Sequence, residues 1–241
     1  MVIFYLNCHR LLKNNKDGQR DWLIGTVLDN DVDVVCLSES SNYDFGNALS
    51  GVFPEEYCWI AQDSTLAKMG YKFNICSKHN VRYESIDYSV SKELLGDGTP
   101  EALADYGIGT MISMSFEQYG FEIVPVHIQH KKGKSQKLSP RNAFYNYGLT
   151  VLREHMIKSS PIVVFGDFNN YPDDKHFLDL TENTGYRSAN TADVKFTYKN
   201  NPNDPGMVID HVFTNNDNVC MKYIPAIDHG FDHHGMLITI K

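Results

Sequence analysis

An α+β fold of stacked sheets covered by helices follows from three features of this 241-residue sequence. Apolar runs of strand length recur along the chain, two amphipathic stretches interrupt them near 17–30 and 140–155, and the runs repeatedly end in a polar or acidic residue. Val2–Leu6 runs into Asn7. Asp17 then opens a segment in which Trp22, Leu23, Val27 and Leu28 fall near helical spacing, closed by Asp29 and Asn30 before a valine-rich strand at 33–38 that ends in Ser38 and Glu39. Strand, helix, strand is the order that lays two strands side by side and parallel, so Asn7 and Glu39 emerge at one edge.

The middle of the chain continues in short strands at Tyr57–Ala61, Tyr71–Ser77, Gly109–Phe116 and Phe121–Val126, the last running into His127. Ser91–Tyr106, with Gly96-Asp97-Gly98-Thr99-Pro100, reads as a surface excursion. A second helix is expected from Pro140 to about His155, with Phe144, Tyr147, Leu149, Val151 and Leu152 on its apolar face. It leads into a strand at 161–166 that stops at Gly166 and at once presents Asp167, Phe168, Asn169 and Asn170. Met207, Val208 and Ile209 frame Asp210, and Asp232-His233 stands just before Met236–Ile240. An acid at the end of an apolar strand is costly unless it is paired or holds a cation, and polar groups at the tips of several strands are how such scaffolds build a catalytic floor.

No Pro/Gly/Ser-rich linker, low-complexity tract or internal repeat divides the chain, so residues 1–241 are expected to form one domain. The net charge of -8 argues against a nonspecific polyanion binder, although acids converging on a divalent cation would still make a site attractive to phosphate. Five cysteines without CxxC spacing, mostly inside apolar stretches, fit reduced, buried thiols in a cytoplasmic compartment. The first apolar run is short, lacks a basic leader and reads as a strand, and no stretch approaches the roughly 20 apolar residues of a membrane helix.

In order, the tips are Asn7, Glu39, His127, Gly166–Asn169, Ile209–Phe213 and Asp232-His233. This ordered set resembles the endonuclease/exonuclease/phosphatase superfamily of metal-dependent phosphoesterases over nearly the whole chain. Leu6-Asn7 resembles the family's "WN", Leu37-Ser38-Glu39 its "LQE" and Val126-His127-Ile128 its "THL". Gly166–Asn169 matches "GDFN", while Thr197-Tyr198 with Ile209-Asp210 resembles "TY…IDY" and Asp232-His233 resembles "SDH". The resemblance implies a four-layer αββα sandwich of two packed mixed β-sheets flanked by helices. It implies that Glu39 is the principal ligand of Mg²⁺ (or Mn²⁺), with Asn7 and Asp232 contributing. It further implies that Asp167 orients and deprotonates the attacking water, Asn169 and His127 contact the phosphate, and Asp210 pairs with His233. Such residue types suit in-line hydrolysis of a phosphate ester, where charge on the nonbridging oxygens must be neutralised.

Taken singly, each residue also has a structural reading: Asn7 as a turn cap, Glu39 as a solvated acid, Asp167 as part of an Asx turn, His127 as a satisfied core histidine, Asp210 as a partner of His211 or Lys195. Their joint occurrence favours the site. The sequence departs from the family pattern at Leu6, Ser38 and Phe231, where Trp, Gln and Ser are usual, and Phe231 is expected to set an aromatic ring beside a metal ligand. His229, His233 and His234 with Asp228 and Asp232 do not read as a zinc site, because neighbouring side chains of an extended segment face opposite ways. Lys131, Lys132 and Lys134, with Arg141, form the basic cluster of note, reading as a solvated loop or as a grip on a phosphate backbone. The sequence therefore suggests a Mg²⁺-dependent nuclease acting on DNA or RNA, with no membrane and no obligate protein partner. The alternatives are a phosphatase or phosphodiesterase on a small phosphorylated molecule or lipid headgroup, and an inactive binding module of the same fold.

Overall fold

The structure, a computed structural model, describes residues 1–8, 16–39, 53–60, 73–88, 109–128, 140–170, 175–191, 194–201 and 203–241. Two six-stranded sheets pack face to face. The first has the order β11-β12-β1-β2-β4-β3, from β1 (Val2–Asn7), β2 (Val34–Ser38), β3 (Cys58–Ile60), β4 (Asn74–Ser77), β11 (Val219–Ile224) and β12 (Gly235–Ile240). The second has the order β5-β6-β7-β8-β10-β9, from β5 (Arg82–Tyr88), β6 (Gly109–Phe116), β7 (Phe121–His127), β8 (Val163–Asp167), β9 (Arg187–Ser188) and β10 (Asp210–Thr214). Helix α1 (Lys16–Asp29) covers the outside of the first sheet, and α2 (Pro140–Ser159) with the short α3 (Lys175–Leu178) covers the second. This is the four-layer sandwich, and no described helix is long and apolar enough to cross a membrane.

The two sheets repeat one plan. Each has a parallel central pair, β1 with β2 and β7 with β8, each joined by a crossover helix and flanked by antiparallel strands. Helix α1 ends with Val32 N–H on Val27 O and Asp31 N–H on Leu28 O, Asp31 taking a left-handed φ of 45°. Helix α2 likewise ends at a left-handed Ser160 (φ 51°) whose N–H meets Met156 O. The expected second helix therefore runs one turn past His155. Strands β5, β9 and β11 had no counterpart in the sequence reading. The Ser91–Tyr106 excursion lies outside the described residues.

Alternation along the strands sorts side chains into three cores. Ile3, Tyr5, Val34, Cys36, Ile123, Val163, Phe165, Val212, Met236 and Ile238 meet between the sheets. Phe4, Leu6, Val35 and Leu37 face α1, whereas Val124, Val126, Val164 and Phe213 face α2 and α3. The parity that buries Ile3 and Tyr5 also carries Asn7 inward, and the same counting carries His127, Asp167 and Asp210 inward from the tips of β7, β8 and β10. Asp210 opens β10 rather than ending a strand. Because β10 runs antiparallel to β8, its start lies opposite the end of β8, pairing Asp210 with Asp167.

Candidate active site

Gly166 makes the centre of the site possible. Its φ is 142°, and a Cβ there would lie 2.0 Å from the Val126 carbonyl oxygen, so no other residue fits without moving the neighbouring strand. Immediately after this kink stands Asp167, buried, with Oδ2 accepting from Asn7 Nδ2 at 2.9 Å and Oδ1 accepting from the Asn169 N–H at 2.7 Å. Asn169 takes a left-handed φ of 50° and donates its side-chain amide to Ile128 O at 2.9 Å, tying the end of β8 to the end of β7.

Glu39 follows β2 by one residue, so alternation alone would turn it outward with Leu37. Its left-handed backbone, φ 52°, brings it back: Oε1 lies 3.3 Å from Asn7 Nδ2 and 2.9 Å from His127 Nε2. His127 Nε2 is also 3.8 Å from Asp167 Oδ2. From the far side, His233 Nδ1 donates to Asp210 Oδ2 at 2.9 Å, and its Nε2 stands 3.9 Å from Asp167 Oδ2. Two acid–histidine pairs thus flank Asp167, one from each side. Asp232 is buried next to His233, and its charge acts with that of Glu39 to hold the buried Cys8 thiol, already raised by desolvation, well above its usual pKa.

The electrostatics follow from burial and crowding. Burial raises the Asp167 pKa to about 6, the Asp210 carboxylate pushes the same way, and the two histidines oppose them. Burial works against a charged His233, yet Asp210, Asp167 and Asp232 outweigh it and hold the imidazolium up to about 9. The ligand atoms of Glu39, His127 and Asp167 lie within 4.8 Å of one another, as do those of Asp167, Asp210 and His233. Asp210 Oδ1 is buried and has no hydrogen-bond partner among the described residues. The carboxylate and carboxamide oxygens of Glu39, Asp232 and Asn7 are the hard donors that Mg²⁺ or Mn²⁺ prefers, so these residues fit a divalent ion beside the Asp167 carboxylate.

The sequence matches the Endonuclease/Exonuclease/phosphatase family over residues 6–229. The chain belongs to that family. Its members are phosphoester hydrolases. No curated relative matches the sequence. Among solved structures, an endonuclease/exonuclease/phosphatase family protein from Leptotrichia buccalis is similar at TM-score 0.65 and 16% identity, over 100% of this chain and 99% of that one. TDP2 of D. rerio, complexed with single-strand DNA product, aligns at TM-score 0.65 and 17% identity over 99% of this chain and 97% of that one. The 3' phosphatase NExo from Neisseria, bound to a product DNA hairpin, aligns at 0.66 and 15% over 100% and 99%. At these identities the likeness carries the fold alone.

The structure thus gathers Asn7, Glu39, His127, Asp167, Asn169, Asp210, Asp232 and His233 at one end of the paired sheets. Lys131, Lys132 and Lys134 lie outside the described residues, as does the Arg141 side chain. Phe231 corrects an expectation: it does not flank the site but packs into the core under α1, its ring 5.3 Å from Trp22. The three neighbouring histidines also diverge, His229 stacking on Trp22, His234 on Phe196 and His233 facing Asp210. Sequence reasoning assigns no role to the hydroxyls beneath the floor, although Thr197 stands in the segment that resembles "TY…IDY". Tyr5 accepts the Asp167 N–H, Thr197 Oγ1 accepts the Asp210 N–H at 3.1 Å, and Tyr223 donates to Asp210 O at 3.0 Å. The inward parity of Tyr5 is readable from its strand, but none of the three partners is.

Proposed function

We propose that this protein is a divalent-metal-dependent phosphodiesterase whose substrates are nucleic acids. One observation supports the reading above all: the buried Asp167 carboxylate is fixed by Asn7 and Asn169 and stands within 4 Å of both His127 and His233. A carboxylate so held, with its pKa raised to about 6, suits a general base that aligns water for in-line attack and takes its proton. Glu39, Asn7 and Asp232 would hold Mg²⁺ or Mn²⁺, which when bound neutralises charge on the phosphate and the leaving oxygen. Charged His233, oriented by Asp210, would donate to a phosphate oxygen, and His127 would do so from the opposite side. Asn169 keeps a second side-chain N–H for the phosphate, since Ile128 O takes only one.

The nucleic-acid substrate class draws support from the basic cluster at Lys131, Lys132, Lys134 and Arg141 and from the DNA products held by the two similar structures named above. The test is incubation with single-stranded DNA, duplex DNA, RNA and bis(p-nitrophenyl) phosphate in Mg²⁺, Mn²⁺ or EDTA, with Asp167→Asn as control. Metal-dependent cleavage of a nucleic acid by the wild type alone is expected. Hydrolysis of the generic ester without any nucleic acid would overturn the substrate class, and no hydrolysis of any ester would overturn the enzyme.

A further inference from the structure

The groups that would hold the metal come from the first sheet and its margins, Asn7 from β1, Glu39 after β2 and Asp232 before β12, whereas the base and its companion acid, Asp167 and Asp210, belong to the second. Apolar packing between sheets is non-directional and does not by itself fix where individual polar atoms of one sheet stand relative to the other. Chemistry on one phosphate needs tighter control than that. Two tyrosines of the first sheet span the gap. Tyr5, in β1 two residues before Asn7, is fully buried, and its hydroxyl accepts the Asp167 N–H at 2.9 Å. Its own hydrogen is available to Ser38 Oγ, 2.7 Å away and next in sequence to Glu39. A single phenol oxygen therefore touches the strand end that carries Glu39 and the strand end that carries Asp167. Tyr223, in β11, donates to the Asp210 carbonyl at 3.0 Å. Asp167 and Asp210 are register partners, so the two hydroxyls grip one cross-strand pair, one through its N–H and the other through its C=O.

We infer that Tyr5 and Tyr223 are positioning residues that set the distance between the metal-holding sheet and the base-holding sheet. The inference rests on the function proposed above. Neither hydroxyl touches the cleft chemistry; each acts on a backbone group of an acid that does. Removing the Tyr5 hydroxyl leaves the Asp167 N–H buried without an acceptor and cuts its link to Ser38, so the Asp167 carboxylate drifts from Asn7. Loss of the Tyr223 hydroxyl leaves the carbonyl of Asp210 only the longer bond from Asn190 Nδ2, at 3.4 Å, and loosens the partner of His233.

The decisive variants are Tyr5→Phe and Tyr223→Phe, with Tyr186→Phe as control. Tyr186 is likewise buried and donates to a backbone carbonyl, that of Pro161 ahead of β8, away from the cleft. Steady-state hydrolysis of bis(p-nitrophenyl) phosphate in Mn²⁺ is read against thermal stability for all three. With Tyr5→Phe, kcat is expected to fall about tenfold or more with KM within about twofold, the pattern of a misaligned group rather than lost binding. Tyr223→Phe should fall less, and Tyr186→Phe should lose comparable stability while keeping kcat. Equal stability loss with kcat retained in all three would overturn the inference. Crystal structures of wild type and Tyr5→Phe decide the matter even if the wild type hydrolyses no ester, an outcome that would sink the proposed function instead. An Asn7–Asp167 contact longer by more than about 0.5 Å supports the inference, and an unchanged one overturns it.

Discussion

Asp210 and His211 are neighbours in β10, yet the two sides of the strand give histidine opposite chemistry. On the cleft side, Asp210 meets His233, and three carboxylates hold that imidazole charged with a pKa of about 9. On the outer side, His211 is packed among Phe168, Phe177 and Phe213 beneath α3, and burial lowers its pKa to about 4. Its hydrogen bonds fit the neutral ring: Nδ1 accepts from Asn190 Nδ2 at 2.9 Å, and Nε2–H donates to Asn170 O at 3.4 Å. A proton on Nδ1 would set two donors against each other. The same residue type serves as an ionised partner on one face and as a polar core group on the other. The surroundings decide which, not the sequence position.

That contrast can be broken most sharply at Asp167. Replacing it with Asn should lower kcat for ester hydrolysis by about 10³-fold or more. The melting temperature in EDTA at pH 8 should change little, because the lost acceptor is offset by removing a carboxylate whose charge burial opposes. A fall in activity matched by unfolding would count against the role. Next in size, His233→Gln should cost roughly 10² to 10³ in kcat. It should also flatten the alkaline limb of stability: a folded pKa raised from 6.5 to about 9 stabilises the protein fully below pH 6.5, and that contribution disappears as pH rises through 9.

Metal binding sharpens the comparison from the cleft side. Millimolar Mn²⁺ should raise the melting temperature of the wild type, since only the folded state gathers the ligands, and Glu39→Gln should abolish most of that shift. Binding isotherms that are unchanged in the variant would remove Glu39 as principal ligand. The smallest effect on activity is expected on the outer face. His211→Phe should leave kcat within about twofold yet flatten the acid limb, because the lowered pKa makes the folded state bind fewer protons than the unfolded chain between about 4 and 6.5. Wild-type stability therefore falls as pH drops through that window, and melting curves of the variant in EDTA should not.

Much of this was legible along the chain because strand parity is arithmetic. Once Ile3 and Tyr5 face the partner sheet, Asn7 must as well, and the run ending in Gly166-Asp167 marks its own kink and acid. Glu39 could be suspected only from its neighbours, for its inward course depends on a left-handed turn of a residue type that seldom adopts one. Tyr5 looked like ordinary core among Ile3, Phe4 and Leu6, and Phe231 looked like part of the cleft because it adjoins Asp232. The common plan of the two sheets left no trace as a sequence repeat, since the plan resides in strand directions that many sequences satisfy.

Local order and residue type were therefore enough to name the strand tips, the crossover helices and the polar groups that belong together. They could not supply the cross-sheet grip of Tyr5 and Tyr223 on the paired acids, nor the opposite protonation of His211 and His233. A hydrogen-bond partner some 160 residues away, and the dielectric surroundings of an imidazole, come into being only when the layers pack and exclude water.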